Sequence, residues 1–134
     1  MSAPHPDRAC EVLIVDDVAT ERERMSGILQ TAGWRVRTAQ SGVQALESAR
    51  RDPPDIIFMD IVMPEMDGFE ACRRLADNPR TRSIPVVFVS TKAQRADQVW
   101  ARMQGGRELI AKPYTAEHLL SAIRRHAGSG PRAD

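Results

Sequence analysis

Asp16 and Asp17 close the run EVLIVDD, Asp60 closes DIIFMD, and Lys112 stands in IAKPY directly after ELIA. Each of these charged groups follows an apolar run of strand length, so each belongs where a buried strand surfaces at its C-terminal end. In an open parallel sheet that edge is where ligands bind. Three carboxylates and one ammonium gathered there could hold a divalent cation and a phosphoryl group. A hard cation such as Mg²⁺, or Mn²⁺, takes oxygen ligands and keeps several waters, so two or three carboxylates plus a backbone carbonyl suit it. Asp17 and Asp60 are the candidate direct ligands, with Asp16 acting directly or through water. With negative charge screened, the Asp60 carboxylate can attack phosphorus and become an acyl phosphate. The transferred oxygens would then be met by the cation, the Lys112 ammonium and the hydroxyl of Ser90, which closes the run PVVFVS.

Positioning these groups takes five strands, each followed by a helix. Residues 11 to 15 read as the first strand, and Met25, Ile28, Leu29 and Ala32 recur on one face of the helix after it, which Gly33 ends. Trp34 to Thr38 reads as the second strand, with Val36 and Trp34 inward. Ser41 caps a helix with Val43, Leu46 and Ala49 inward, stopped by Pro53 and Pro54. Residues 55 to 59 form the most continuously apolar strand, as a central strand covered on both faces should be. Asp67 and Gly68 open a helix carrying Phe69, Cys72 and Ala76, which Asn78 and Pro79 break. Residues 85 to 89, a helix over 94 to 104, a turn at Gly105 and Gly106, and a strand over 108 to 111 follow. Thr115 caps a last helix with Ala116, Leu119, Leu120 and Ile123 inward. Five such units in succession imply one α/β domain, a doubly wound parallel sheet with helices on both faces, because each crossover is right-handed and buries an apolar stripe.

Bulk properties exclude several classes. At 134 residues and 42% hydrophobic composition the chain can bury one core and has no room for a second domain. A net charge of +1 with 28% charged residues points to neither nucleic acid nor an anionic membrane as partner. Cys10 and Cys72 lie far apart without a CxxC or a histidine at ligand spacing, which argues against a zinc site or a disulfide scaffold and suits a reducing, cytoplasmic setting. Met1 to Arg8 lacks the apolar stretch of an export signal, and no run is long enough to insert in a membrane. Residues 1–10 are expected to be a disordered leader, 11–127 the domain, and 128–134 (GSGPRAD) a disordered tail.

LIVDD, FMDIVMPEMDG, VFVST and AKPY, in this order over residues 11 to 127, resemble the receiver domain of bacterial two-component response regulators. The resemblance implies a five-stranded flavodoxin-like sheet of order 2-1-3-4-5. It implies that Asp16 and Asp17 are the acidic pair, Asp60 the phosphoacceptor, Val62 the donor of a backbone carbonyl to the metal, Ser90 the switch hydroxyl and Lys112 the phosphoryl-binding lysine. It also implies a cis peptide before Pro113, a histidine kinase or phosphotransfer domain as partner docking near the first helix, slow autodephosphorylation rather than enzymatic turnover, and a monomer or weak dimer. A narrower likeness lies in STKAQRADQVWARMQGGRELIAKP, which is similar to the stand-alone, PilH-like twitching-motility receivers of chemotaxis-type systems. With the last helix so near the end of the sequence, no output domain is expected, and output would be a protein contact. Trp100 is the candidate for that contact, on the face made by the fourth helix, fifth strand and fifth helix.

Two residues depart from the wider family. Leu109 stands where many receivers carry an aromatic that swings inward with the hydroxyl. Thr91 stands where alanine or glycine usually leaves the phosphoryl pocket open, and its branched side chain is expected to slow access at the rim.

An Asp that closes an apolar strand can be no more than a helix cap or a solvated loop residue, and Lys112-Pro113 can be only a turn. Met59, Met63 and Met66 suit packing better than ligation. Glu21 to Arg24 can be a solvated face laced by helix ion pairs. Three other functions share parts of the pattern. A small Mg²⁺-dependent phosphohydrolase using Asp60 would, in the haloacid-dehalogenase-like manner, carry a second Asp where Val62 stands. A flavodoxin-like binding module would need a phosphate loop where the acidic VDDVAT lies. A degenerate receiver acting without phosphate would not need the complete residue set.

Overall fold

The computed structural model describes residues 10–127. Runs rich in β-branched and aromatic residues form strands, each followed by a helix. In chain order they are β1 (Glu11–Val15), α1 (Ala19–Thr31), β2 (Arg35–Ala39), α2 (Gly42–Arg51), β3 (Ile56–Met59), α3 (Gly68–Ala76), β4 (Val86–Ser90), α4 (Arg95–Met103), β5 (Glu108–Ala111) and α5 (Ala116–His126). Every strand pairing is parallel and the order is β2-β1-β3-β4-β5. The C-terminal ends of all five strands therefore share one edge.

Side chains alternate across the sheet and fill two layers. Leu13, Val15, Ile57, Met59 and Phe88 face α2, α3 and α4, where they meet Leu46, Cys72 and Ala101. Val12, Ile14, Ile56, Phe58 and Val89 face α1 and α5, where they meet Leu29, Leu119 and Ile123. All four residues of β3 are buried, as its unbroken apolar run requires for a central strand. Phe69 of α3 packs edge-on against Phe88, with ring centroids 5.1 Å apart, a geometry favoured by aromatic quadrupoles.

Caps fall where the side-chain chemistry directs them. Ser41 Oγ accepts from the Gln44 amide, Asp67 Oδ1 from the Glu70 amide, and Thr115 Oγ1 from the His118 amide. Gly33 follows α1 at φ 99°, the left-handed conformation that ends helices without a Cβ penalty. The peptide before Pro113 is cis.

Several expected inward positions are corrected. Val43 is 46% exposed, whereas Ala45 is fully buried. Ala76 and Ala116 are exposed, and Leu75 and Ala122 hold the inward places. Ala32, at the C-cap of α1, is also exposed, and Ile28, Val36 and Leu120 are only partly buried. At 100° per residue a stripe read one position off slips past the edge of the buried arc, and small alanines mark that edge poorly. Cys10, assigned to the leader, is 2% exposed, and its carbonyl accepts from the Arg35 amide at 3.2 Å. The β1-β2 ladder thus runs one bond further than the apolar run suggests. The disorder expected of residues 1–9 and 128–134 lies outside the described residues. Among the described residues no helix is long and apolar enough to cross a membrane.

Gly68 ties α3 to the strand edge. Its amide donates to the Ile61 carbonyl at 2.7 Å, and a Cβ there would collide with the Asp60 carbonyl oxygen and reach Ile61 Cα at 3.0 Å. Gly27, inside α1, has open space where a Cβ would lie, with nothing within 4 Å. Gly68→Ala should therefore destabilise by roughly 1–3 kcal/mol, and Gly27→Ala should stabilise by roughly 0.5–1 kcal/mol. Urea midpoints at a shared slope measure both; equal midpoints for the two variants would contradict the packing described.

Candidate functional site at the strand edge

Three carboxylates and one ammonium meet where β1, β3 and β5 end. Asp16 extends β1, its amide bonding to the Ala39 carbonyl at 3.2 Å, and Asp60 extends β3, its amide bonding to the Val15 carbonyl at 3.0 Å. Lys112 follows β5, its amide bonding to the Ser90 carbonyl at 2.9 Å. The sheet's own ladders thus fix the backbone of each charged residue before any side chain is considered. One carboxylate oxygen from each of Asp16, Asp17 and Asp60 lies within 4.8 Å of the others.

Lys112 Nζ bridges two of them. It donates to Asp16 Oδ2 at 2.9 Å and to Asp60 Oδ2 at 3.1 Å, and Glu21 Oε1 lies 3.8 Å away. The side chains of Lys112, Asp16 and Asp60 are 12%, 4% and 12% exposed. Burial pushes the ammonium toward losing its proton, but the Asp16 hydrogen bond and the two carboxylate charges outweigh it and hold Lys112 above the usual lysine value. The remaining oxygens are bonded locally: Asp16 Oδ1 accepts from the Val18 amide, and Asp60 Oδ1 from the Ile61 and Val62 amides. The Asp16 bond closes an Asx-type turn just ahead of α1, whose N-cap Val18 has no side chain able to accept a helix amide.

Asp17 is exposed and accepts no hydrogen bond among the described residues. Like charges about 4.8 Å apart repel by roughly 3 kcal/mol at an effective dielectric near 20, and one ammonium cannot neutralise three carboxylates. The set is all hard oxygen, clustered, and open on the Asp17 side, which fits a small divalent cation.

Ser90 lies at the same edge, in register with Ala111, and is fully buried. Its Oγ accepts from the Lys92 amide at 3.1 Å and, among the described residues, has no bond to a carboxylate. Thr91 is exposed beside it. The Val62 side chain is 60% exposed just past Asp60. Leu109 and Trp100 lie apart from the charged cluster. Leu109, paired with Phe88, is in the core beneath α4, and Trp100 is 48% exposed on α4 itself. Two contacts escape sequence reasoning: the Arg22 guanidinium donates to the Asp16 carbonyl at 2.7 Å, and Glu21 approaches Lys112. Charge in the first turn of the helix after an acidic pair was the available signal, but its direction depends on a residue some ninety positions away.

Comparison with known proteins agrees with this geometry. The family model described as response regulator receiver domain matches residues 12–124. Protein PilH of Pseudomonas aeruginosa is 42% identical over 84% of this chain and 93% of that protein. Among solved structures, chemotaxis protein CheY4 of Vibrio cholerae superposes with a TM-score of 0.83 at 30% identity, covering 88% of this chain and 98% of that one. The receiver domain of a sensor histidine kinase from Pseudomonas aeruginosa, solved with a magnesium ion coordinated in its active site cleft, gives 0.83 at 29% identity over 90% and 99%.

Two outcomes test the electrostatics. A cation that binds only the folded chain adds about 1.4 kcal/mol at ten times its Kd, so Mg²⁺ should raise the urea midpoint accordingly, and Asp17→Asn or Asp60→Asn should remove most of the gain. Because the Lys112 pKa is raised by folding, its contribution is complete below the unfolded value of about 10.4 and is lost as pH rises through the folded value. Tyr114 acts in the same sense, burial first and then Glu21 raising its phenol. Stability should therefore fall above about pH 10, and less steeply in Lys112→Met; identical pH slopes for the two proteins would refute the assignment.

Proposed function

The chain belongs to the response regulator receiver domain family, and on that premise we propose that it accepts a phosphoryl group on Asp60 from a histidine kinase or phosphotransfer domain and passes the signal on by protein contact. The observation that carries this reading is the Lys112 ammonium within hydrogen-bond reach of both Asp16 and Asp60, beside an exposed third carboxylate.

Asp16, Asp17, Asp60 and the Val62 carbonyl would hold Mg²⁺ or Mn²⁺. That cation supplies charge neutralisation for the incoming phosphoryl oxygens. Asp60 Oδ1 is tied to two amides of its own turn, whereas among the described residues Oδ2 is held by Lys112 alone, so Oδ2 is the oxygen able to turn to phosphorus. It forms the new O–P bond as the P–N bond of a phosphohistidine breaks, and the electron pair of that bond stays on the departing imidazole. Lys112 shifts its donors from the carboxylate to the phosphoryl oxygens, and the Ser90 hydroxyl supplies another donor. No general base is required, because a carboxylate nucleophile carries no proton to remove.

The output surface is the α4-β5-α5 face, where Val99, Trp100 and Met103 are 56%, 48% and 68% exposed. With leucine at 109, that surface would change through the β4-α4 connection rather than through an aromatic swing. Thr91, exposed at the rim, would slow the approach of donor and of hydrolytic water. Residues 11–127 act as the functional unit, in the cytoplasm where its kinase would present phosphohistidine. The extent of the match to PilH favours a chemotaxis-type kinase of the twitching-motility kind. A phosphohydrolase is disfavoured because Val62, two residues past Asp60, offers no acid or base.

Acetyl phosphate with Mg²⁺ should add one phosphoryl group, seen by intact mass. Asp60→Asn and excess EDTA should each abolish the adduct. Turnover of many donor equivalents at steady state would favour the phosphohydrolase, and an adduct that survives Asp60→Asn would remove Asp60 from its role.

A further inference from the structure

Glu21 is the unexplained charge beside the site. It lies in the first turn of α1, where charges at i+3 and i+4 are its natural partners. Arg24, three residues on, instead lies over the Tyr114 ring, 5.3 Å from its centroid. Arg22, its chain neighbour, donates to the Asp16 carbonyl. Among the described residues the only cation within 4 Å of the Glu21 carboxylate is Lys112, at 3.8 Å.

Lys112 has a matching vacancy in its bonding. An ammonium carries three donors, and two are spent on Asp16 Oδ2 and Asp60 Oδ2. At 3.8 Å Glu21 is too far for a hydrogen bond, yet its charge attracts the ammonium from the α1 side, in competition with Asp60. The Glu21 side chain is 29% exposed and that of Lys112 is 12% exposed, so solvent screens this pull only in part.

We propose that Glu21 is a positioning residue for Lys112, setting how tightly the ammonium holds the Asp60 carboxylate and offering it a second anchor when Asp60 Oδ2 is needed elsewhere. With Glu21 neutral, the ammonium rests on Asp16 and Asp60 alone. Both oxygens then become harder to withdraw for a divalent cation or for phosphorus. The importance of that competition rests on the receiver reading above; the competition itself does not.

Mg²⁺ binding to the full chain, without any phosphodonor, is therefore the direct measurement. By titration calorimetry Glu21→Gln should raise the apparent Kd about three- to tenfold, whereas Glu23→Gln, an exposed charge on the same helix, should change it less than twofold. Loss of any nearby negative charge weakens cation binding somewhat, so the deciding comparison is a double-mutant cycle. In a Lys112→Met background Glu21→Gln should change the Kd less than twofold. The same fold-change in both backgrounds, or no change in the wild-type background, overturns the proposal. Should Lys112→Met not fold cooperatively in urea, Lys112→Gln serves as the same arm. Acetyl phosphate labelling of the wild-type chain separates the two readings. If the cycle closes as described and no phosphoryl adduct forms, the positioning role stands and the receiver function falls. If the adduct forms and the cycle shows no coupling, the reverse holds.

Discussion

Three carboxylates crowded at one strand edge are the constraint on which the rest of the molecule turns. They repel one another, and the interior behind them is apolar. Lys112 is the ion that makes the crowding tolerable, and its grip spans the sheet from β5 to the ends of β1 and β3. A single ammonium among three carboxylates leaves the site short of positive charge, which a divalent cation can supply. A neutral pocket would have no reason to hold one.

The sheet can bear this strain because its two layers are filled without reference to the site. Phe58, Phe88, Leu13 and Ile14 are fully buried in the middle of the strands, and each fully buried large apolar side chain contributes on the order of 1.5–3 kcal/mol. Several such residues outweigh the roughly 3 kcal/mol that one close pair of like charges costs. Parallel pairing then carries the chemistry to one edge, since every strand ends there. Gly68 completes the arrangement by letting the first turn of α3 press against the Asp60 backbone where any side chain would intrude.

Much of this was legible in the amino-acid order, for a physical reason. Asp16, Asp60 and Lys112 each follow an uninterrupted β-rich run, and in a parallel sheet position along a strand becomes position in space. Ser41, Asp67 and Thr115 were equally readable, because a cap acts within three residues of itself. Helix faces were harder: Val43 and Leu46 stand three positions apart on one side of α2, yet one is exposed and the other buried, because the edge of the buried arc depends on what packs against the helix. Cys10 was misplaced because one more ladder bond to Arg35 leaves no trace in composition. Glu21 was read as part of a solvated helix face, since the residue it approaches belongs to a distant strand.

Ser90 is buried, whereas Trp100 is on the surface of α4. A chain of hydrogen bonds leads from the Ser90 hydroxyl to the start of that helix. Ser90 Oγ accepts from the Lys92 amide, Lys92 Nζ donates to Asp97 Oδ1, and Asp97 Oδ2 accepts from the Gln94 amide at the start of α4. The Asp97 carboxyl is held below the usual range by its Lys92 hydrogen bond first and the Gln94 amide second, so that link stays ionised across neutral pH. A hydroxyl drawn toward a group on Asp60 would loosen the Lys92 amide and tug this chain from its inner end. α4 is suited to answer, because Ala101 is its one buried residue, whereas α3 of the same length buries five. The helix with the least purchase on the core is the one that shifts at least cost. Val99, Trp100 and Met103 lie on that helix, so a shift of α4 would move exposed apolar surface at the least cost to the core.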